Sequence, residues 1–276
     1  LDHGDVSALE FMDAFVLGIV QGITEFLPVS SDGHLVIAQG YFAAFNEKAM
    51  TFDIMLHFGT LLAVILYFRR DLLGLVYFLV GKGVPDPDFP ARQWFWLIVL
   101  ATLPTGIVGL ALAKPVEPLF TIPGFAAAAI TANGILLLST MMAPKGDRGA
   151  RDLRISDALL IGFTQGFAIL PGISRSSNTI AMAMFLGIKG EVAARFSFLI
   201  SVPAVTGAVL IKSMELQGLP VAALIPYGIG TAVALLTGLW AIAFLLKVIM
   251  KGKFQFFGYY CLLFGGGFLL LRMTTL

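Results

Sequence analysis

Six stretches of this 276-residue chain are apolar over lengths close to the hydrocarbon core of a bilayer, and that feature constrains the fold most. They lie near 53–68, 93–113, 122–142, 193–212, 221–247 and 254–271; a full helical crossing takes roughly 20 residues. Lipid cannot hydrogen-bond a bare backbone, so only helices and closed barrels span it. The runs lack the two-residue alternation of barrel strands, which leaves helices. Composition agrees: 58% of residues are hydrophobic and 13% charged, with mean hydropathy +0.90, against about 25% charge in ordinary soluble domains. A water-soluble globule, a disordered chain and a coiled coil are excluded. A net charge of +1 leaves no basic surface for nucleic acid. The one cysteine, Cys261, cannot form an intrachain disulfide and reads as lipid- or helix-facing filler. Asp2, Asp5 and Glu10 do not suit a cleavable signal peptide.

Two further apolar regions, 13–45 and 157–187, are broken in the middle by LPVSSDGH and LPGISRSSN. Asp157 to Leu170 would extend only about 21 Å as helix, short of the ~30 Å core. Each half is therefore expected to be too short to cross alone, and each region to form a re-entrant helical hairpin. Residues 69–92, 143–156, 188–195 and 247–253 hold 13 of the 18 Lys and Arg, whereas the opposite side holds Lys48, Lys114, Lys212 and Arg272. The positive-inside rule makes the first set cytoplasmic and puts both termini outside. Segment 72–81 is placed at the cytoplasmic interface rather than across the membrane.

The two broken regions are also copies. DAFVLGIVQG at 13–22 and DALLIGFTQG at 157–166 share Asp, Ala, Gly, Gln and Gly at an offset of 144. After a one-residue gap Leu27-Pro28 matches Leu170-Pro171, and both copies turn through serine-rich sequence. The expected fold is an all-α polytopic membrane protein: about six transmembrane helices plus two re-entrant hairpins in one integral membrane domain spanning 1–276. Repeat 1 covers about 10–142 and repeat 2 about 155–272, with inverted topology. Inverted repeats place binding sites where broken helices meet, in transporters as much as in enzymes.

Ionisable groups inside a bilayer cost about 2.5–3.5 kcal/mol each and mark function. Glu25, His34 and Arg175 fall inside the hairpins. Gln21 and Glu25 share a helix face at i, i+4, and Ser31 and His34 share one at i, i+3. Ser30 and Ser31 follow Pro28 directly; Ser174, Arg175, Ser176, Ser177, Asn178 and Thr179 open the second return helix. Hydroxyls, an arginine fork and free N–H groups at a helix start suit an anionic phosphate. Blander readings stand beside these: Ser30 and Ser177 as helix caps, Gln21 and Gln165 as ties between helices, Arg175 as a structural ion pair with Glu25, Asp32 as a cap or a water-facing group. Asp53 and His57 lie on one face of the next span and read as packing or as support for the site.

Gln21-Gly-Ile-Thr-Glu25 followed by Phe-Leu-Pro-Val-Ser-Ser-Asp-Gly-His34 resembles the (E/Q)xxxE region of bacterial undecaprenyl pyrophosphate phosphatases of the bacitracin-resistance type. Pro171-Gly-Ile-Ser-Arg-Ser-Ser-Asn-Thr179 resembles that family's PGxSRSxxT signature. The resemblance runs along essentially the whole chain. It implies hydrolysis of undecaprenyl pyrophosphate to undecaprenyl phosphate and phosphate, recycling of the lipid carrier of cell-wall synthesis, and bacitracin resistance. It also implies a site facing the outer, periplasmic side of the bacterial cytoplasmic (inner) membrane, and a divalent cation, Mg or Ca. Gln21 stands where a glutamate is common, which leaves Glu25 as the sole motif carboxylate and metal ligand. Type 2 phosphatidic acid phosphatases need a histidine six residues after the Ser-Arg; Ala181 stands there.

On this reading Ser31 is the nucleophile, and His34 takes its proton and later activates water. Glu25 orients His34 or holds the metal. Arg175 counters phosphoryl charge, while Ser30, Ser174, Ser176, Thr179 and Gln21 bind phosphate oxygens. Direct attack by water uses the same residues. The partners are a polyprenyl pyrophosphate lipid and the bilayer, with a homodimer compatible with the sequence. The alternative function is a polyprenyl-phosphate or ion-coupled transporter, or flippase, built on the inverted repeat.

Overall fold

A computed structural model describes residues 3–39, 49–82, 86, 88–213 and 224–274. Residues 40–45 of the first expected hairpin, Lys48, and 221–223 of one expected span lie outside the described residues. Among those described, the chain is helical: α1 (His3–Phe26), α2 (Ser31–Gln39), α3 (Ala49–Tyr67), α4 (Arg69–Leu79), α5 (Ala91–Val116), α6 (Pro123–Ser139), α7 (Ile155–Gly166), α8 (Arg175–Phe185), α9 (Gly190–Ser213), α10 (Leu224–Met250) and α11 (Phe256–Thr274). Five segments are long and apolar enough to cross a membrane: Ala91–Thr121, Pro123–Met142, Gly190–Ile211, Leu224–Met250 and Phe256–Thr274. The sixth expected span is α3, whose described apolar part, Phe52–Tyr67, is shorter. The outer surface carries large apolar side chains, among them Leu103, Ile107, Leu110, Leu236 and Leu263. Exposed hydrocarbon on this scale belongs in lipid. The protein is a multi-pass, all-α membrane protein.

α4 has 11 residues, about 16 Å of helix, too short to cross and in keeping with an interfacial position. It is anchored by Asp71, which accepts from Arg195 on α9 at 2.8 and 2.5 Å. The loop before α7 is clamped by Arg148, which donates to Asp157 and, at 2.9 Å, to the Leu186 carbonyl. The hydrogen-bonded Asp157 carboxylate pushes the Arg148 guanidinium above its ordinary pKa.

Both broken regions fold as helix, turn, helix. The helix of the first broken region begins upstream of it: α1 has 24 residues, about 36 Å, because no proline interrupts the chain between His3 and Pro28, and its tip at Phe26 meets Gly238, midway along α10. α7, with 12 residues, is short as expected.

The repeated glycines explain how the hairpins are seated. A Cβ on Gly18 would meet Gly230 and Val233, and one on Gly22 would lie 1.9 Å from Thr237 Oγ1 and 2.5 Å from the Ala234 carbonyl. Their copies do the same elsewhere: a Cβ on Gly162 would lie 2.1 Å from the Ala101 carbonyl oxygen, and one on Gly166 2.5 Å from the Val108 side chain. Thr237 donates to the Gly18 carbonyl at 3.5 Å, and Thr105 to the Gly162 carbonyl at 2.8 Å. α1 thus lies parallel along α10, and α7 along α5, each through a stripe of small residues that brings backbones into contact. Each hairpin docks on a long helix of the other half of the chain.

Candidate functional site

The two turns meet in the middle of the molecule. After Pro28 the chain reverses at Ser30, whose φ of 74° is the one positive value among described non-glycine residues. That conformation is uncommon outside glycine and clusters at functional sites. Ser30 then caps α2: its Oγ accepts from the Gly33 N–H at 3.3 Å. Ser174 caps α8 in the same way, accepting from the Ser177 N–H at 3.3 Å. Ser30 and Ser174 are 144 residues apart, so the repeat extends into its caps. The second turn passes through Gly172 at φ 98°, and a Cβ on Gly33 would stand 2.8 Å from the Gly172 Cα.

Glu25, at the end of α1 and 8% exposed, is the hub. Its Oε2 accepts from Ser31 Oγ at 2.6 Å and from Gln21 Nε2 at 3.1 Å. Its Oε1 accepts from Arg175 Nη2 at 2.8 Å, across 150 residues. His57 on α3 points Nε2 at the same group, 3.7 Å from Glu25 Oε2 and 3.5 Å from Asp32 Oδ1; its Nδ1 donates to the Asp53 carbonyl at 2.8 Å. Arg175 Nη1 and Gln21 Oε1 are buried without a hydrogen-bond partner. A buried donor and acceptor left open beside a carboxylate and a serine are costly unless something else fills them.

Glu25, Ser31, Arg175 and Gln21 are therefore brought together. His34 is not part of that cluster. The expected hydrogen bond from Ser31 to His34 is not made: the Ser31 hydroxyl goes to Glu25, and His34 turns back along its own helix. Its Nδ1 donates to the Ser30 carbonyl at 2.7 Å. In the neutral ring that leaves Nε2 to accept from the Tyr260 hydroxyl at 2.8 Å. Phe264 stacks on the imidazole at 4.4 Å. A shared helix face was real, but the left-handed Ser30 presents a carbonyl to His34 that spacing does not reveal.

The serines and threonine of the second hairpin are engaged within the protein. Ser174 Oγ also meets Ser176 Oγ at 3.1 Å, Ser176 donates to the Leu27 carbonyl at 3.4 Å, and Thr179 donates to the Arg175 carbonyl at 2.8 Å while facing Ser197 at 2.5 Å. Ser177 is no cap; its hydroxyl reaches Asn133 and, at 2.9 Å, the Ser174 carbonyl. Asn133 and Tyr260 join the site through packing that sequence spacing does not show. Asn133, on α6, donates to the Pro28 carbonyl at 2.9 Å and accepts from the Ser174 N–H at 3.4 Å, stitching one turn to the other. Its signal was available: a lone amide in an otherwise apolar span. Cys261 is buried against this seam, 3.6 Å from Asn133 Nδ2.

No group of three or more His, Cys, Asp or Glu side chains placed to hold a metal occurs among the described residues. The donor set still suits a hard cation shared with a ligand. Mg²⁺ is commonly held by one or two carboxylates plus substrate phosphates, and the open Gln21 Oε1 lies on the amide that contacts Glu25.

The chain is similar to known proteins along nearly its whole length. The family described as Bacitracin resistance protein BacA matches residues 14–267. A protein of Syntrophotalea carbinolica named undecaprenyl-diphosphatase is 40% identical over 264 residues, 94% of this chain and 98% of that protein. One of Geobacter metallireducens with the same name is 41% identical over 263 residues, covering 94% and 97%. One of Korarchaeum cryptofilum, again so named, is 40% identical over 264 residues, covering 93% and 97%.

Proposed function

Because the chain belongs to the bacitracin resistance protein BacA family, we propose that it hydrolyses undecaprenyl pyrophosphate to undecaprenyl phosphate and inorganic phosphate. It thereby recycles the lipid carrier of cell-wall synthesis and confers bacitracin resistance. The observation that carries the reading is the Ser31–Glu25–Arg175 cluster, in which a serine hydroxyl is 2.6 Å from a carboxylate and the guanidinium on that carboxylate keeps a buried donor open.

Phosphoryl transfer asks a protein chiefly for positioning and charge stabilisation. Ser31 Oγ attacks the terminal phosphorus in line as its proton passes to Glu25, which lies within general-base reach. The bond from that phosphorus to the bridging oxygen breaks, and undecaprenyl phosphate leaves with the electron pair. Water then hydrolyses the phosphoserine and regenerates Ser31. Arg175 Nη1 takes a phosphoryl oxygen and counters the charge that builds on it, while Nη2 holds Glu25. His34 has both ring nitrogens occupied, so its role is to hold the Ser30–Ser31 turn. A divalent cation, Mg or Ca, would be held by Glu25 and Gln21 Oε1 and would supply neutralising charge to the pyrophosphate. The family resemblance implies a site that faces the outer side of the cytoplasmic membrane, the side on which the distribution of basic residues puts both termini.

The experiment is phosphate release from undecaprenyl pyrophosphate by purified protein in detergent, beside a binding assay for the same lipid. Release by wild type, lost in Ser31→Ala with binding retained, is the expected result. Binding without release under any divalent cation would transfer the argument to a polyprenyl-phosphate transporter. Near-normal turnover in Ser31→Ala would replace the serine by a water activated at Glu25.

A further inference from the structure

His57 and Asp32 take no part in the steps above, yet both stand at the Glu25 cluster. His57 Nε2 lies 3.5 Å from Asp32 Oδ1 and 3.7 Å from Glu25 Oε2. Its Nδ1 already donates to the Asp53 carbonyl at 2.8 Å. A bare lone pair aimed at two carboxylate oxygens would be repelled, so Nε2 carries a proton as well and the ring meets Asp32 and Glu25 as a cation. Glu25 is thereby flanked on both sides, by Arg175 at Oε1 and by His57 at Oε2.

Exposure separates the members of this cluster. The side chains of Glu25 and Arg175 are 7% and 13% exposed, whereas those of His57 and Asp32 are 24% and 28%. The cluster is closed over its hub and open along the His57–Asp32 pair. That pair is also loose. Its 3.5 Å separation exceeds the roughly 2.7–2.9 Å of a charge-assisted hydrogen bond, which Arg175 does make with Glu25 at 2.8 Å. Partly exposed pairs hold weakly. A loosely held carboxylate on a histidine, at the open edge of an anion site, stands where another anion can replace it. A pyrophosphate has two phosphoryl groups on one bridging oxygen, and Arg175 Nη1 accounts for the terminal one alone.

We infer that His57 is a second phosphate-binding residue, and that Asp32 occupies it until the inner, lipid-bearing phosphoryl group of the substrate takes the carboxylate's place. The inference rests on the phosphatase reading above and gives that site the contact for its second phosphoryl group. Cleavage separates the two phosphoryl groups, so neither product spans Arg175 and His57, and Asp32 can return.

The test reads the Kd of inorganic pyrophosphate at fixed Mg²⁺ for the purified full chain in detergent, and needs no turnover. Asp32→Asn removes the competing carboxylate and should tighten binding about threefold, the size of a partly exposed ion pair; Asp32→Ser should act in the same direction. His57→Gln exchanges a charged donor for a neutral one and should weaken binding about tenfold, the low end for a hydrogen bond to a charged group. The two changes should not add: once His57 is replaced, Asp32→Asn should gain little. A variant that folds badly does not gain affinity, so the sign of the Asp32 effect is informative by itself. Weaker binding in both Asp32 variants would mean that the carboxylate helps to hold a cation or the fold, and overturns the exchange. A threefold gain that persists without His57 would be plain charge repulsion and overturns it too, as would unchanged Kd values or a wild type that does not bind. Phosphate release from the lipid tests the phosphatase reading separately. Release with unmoved Kd values sinks this inference alone, while the expected Kd changes in a protein that releases no phosphate would sink the phosphatase and leave an anion-exchange site.

Discussion

Arg175 is asked to do two things at once, holding Glu25 through Nη2 while Nη1 stays open. Lysine keeps the charge but has no fork, so Arg175→Lys should lower turnover by about 10²-fold, in the range for loss of one oxyanion-type donor. Phosphate release read against lipid binding checks it, and activity near wild type would mean that charge alone suffices. Glu25→Gln should cost at least about 10²-fold as a lost general base. Gln21→Glu places a second carboxylate beside the first, which only a cation makes tolerable. Its activity should therefore persist with Mg or Ca and collapse under chelation more steeply than wild type. Insensitivity to chelation in both proteins would remove the cation from the mechanism. Asn133→Leu should leave the Ser174 N–H unpaired and the Pro28 carbonyl with only the Cys261 thiol at 3.8 Å, at about 1–3 kcal/mol for an unpaired buried group. Thermal unfolding in detergent reads that loss. At this scale the sequence revealed residues whose partners are four apart, such as Gln21 and Glu25. It concealed partners set by distant packing: Tyr260 reaches His34 across 226 residues and Asn133 reaches Pro28 across 105.

At the scale of elements, the glycines of the repeat make a prediction that their apolar neighbours do not. Gly22→Ala and Gly162→Ala each push a methyl group into backbone or a threonine hydroxyl at about 2 Å. Each should destabilise by the roughly 1–3 kcal/mol typical of overpacking, and more where the helix cannot move aside. Gly106→Ala, with nothing within 4 Å of the added carbon, should leave the melting temperature nearly unchanged or slightly raised. Equal effects at all three positions would show that these stripes are not seats. The matching decapeptides exposed the repeat, because aspartate and glutamine are rare in apolar sequence and the Gln-Gly and Leu-Pro pairs match together. They did not show which helices the glycines serve, since α10 and α5 carry no matching motif. Nor did they show that α1 begins at His3, ten residues before the matching Asp13.

For the whole molecule, 13 basic residues against four predict a sidedness. A cysteine at Gly149, where a Cβ meets only Asp152 at 3.5 Å, should be labelled from the cytoplasmic side alone, and a reporter fused at the C-terminus should behave as external. External labelling at Gly149 would reverse both the topology and the face to which the site opens. The crossed seating of the hairpins has a further consequence, in the order of events during synthesis. Thr105 is already made when Gly162 emerges, 57 residues later, so the second hairpin finds its seat waiting. Gly18 must wait 219 residues for Thr237. The hairpin that carries Glu25 and Ser31 is therefore the first to be translated and the last to be fixed. A chain halted before α10 would hold its base, Glu25, on a helix whose seat is missing, so a nascent or truncated copy should be inert toward the lipid until its final third has entered the membrane.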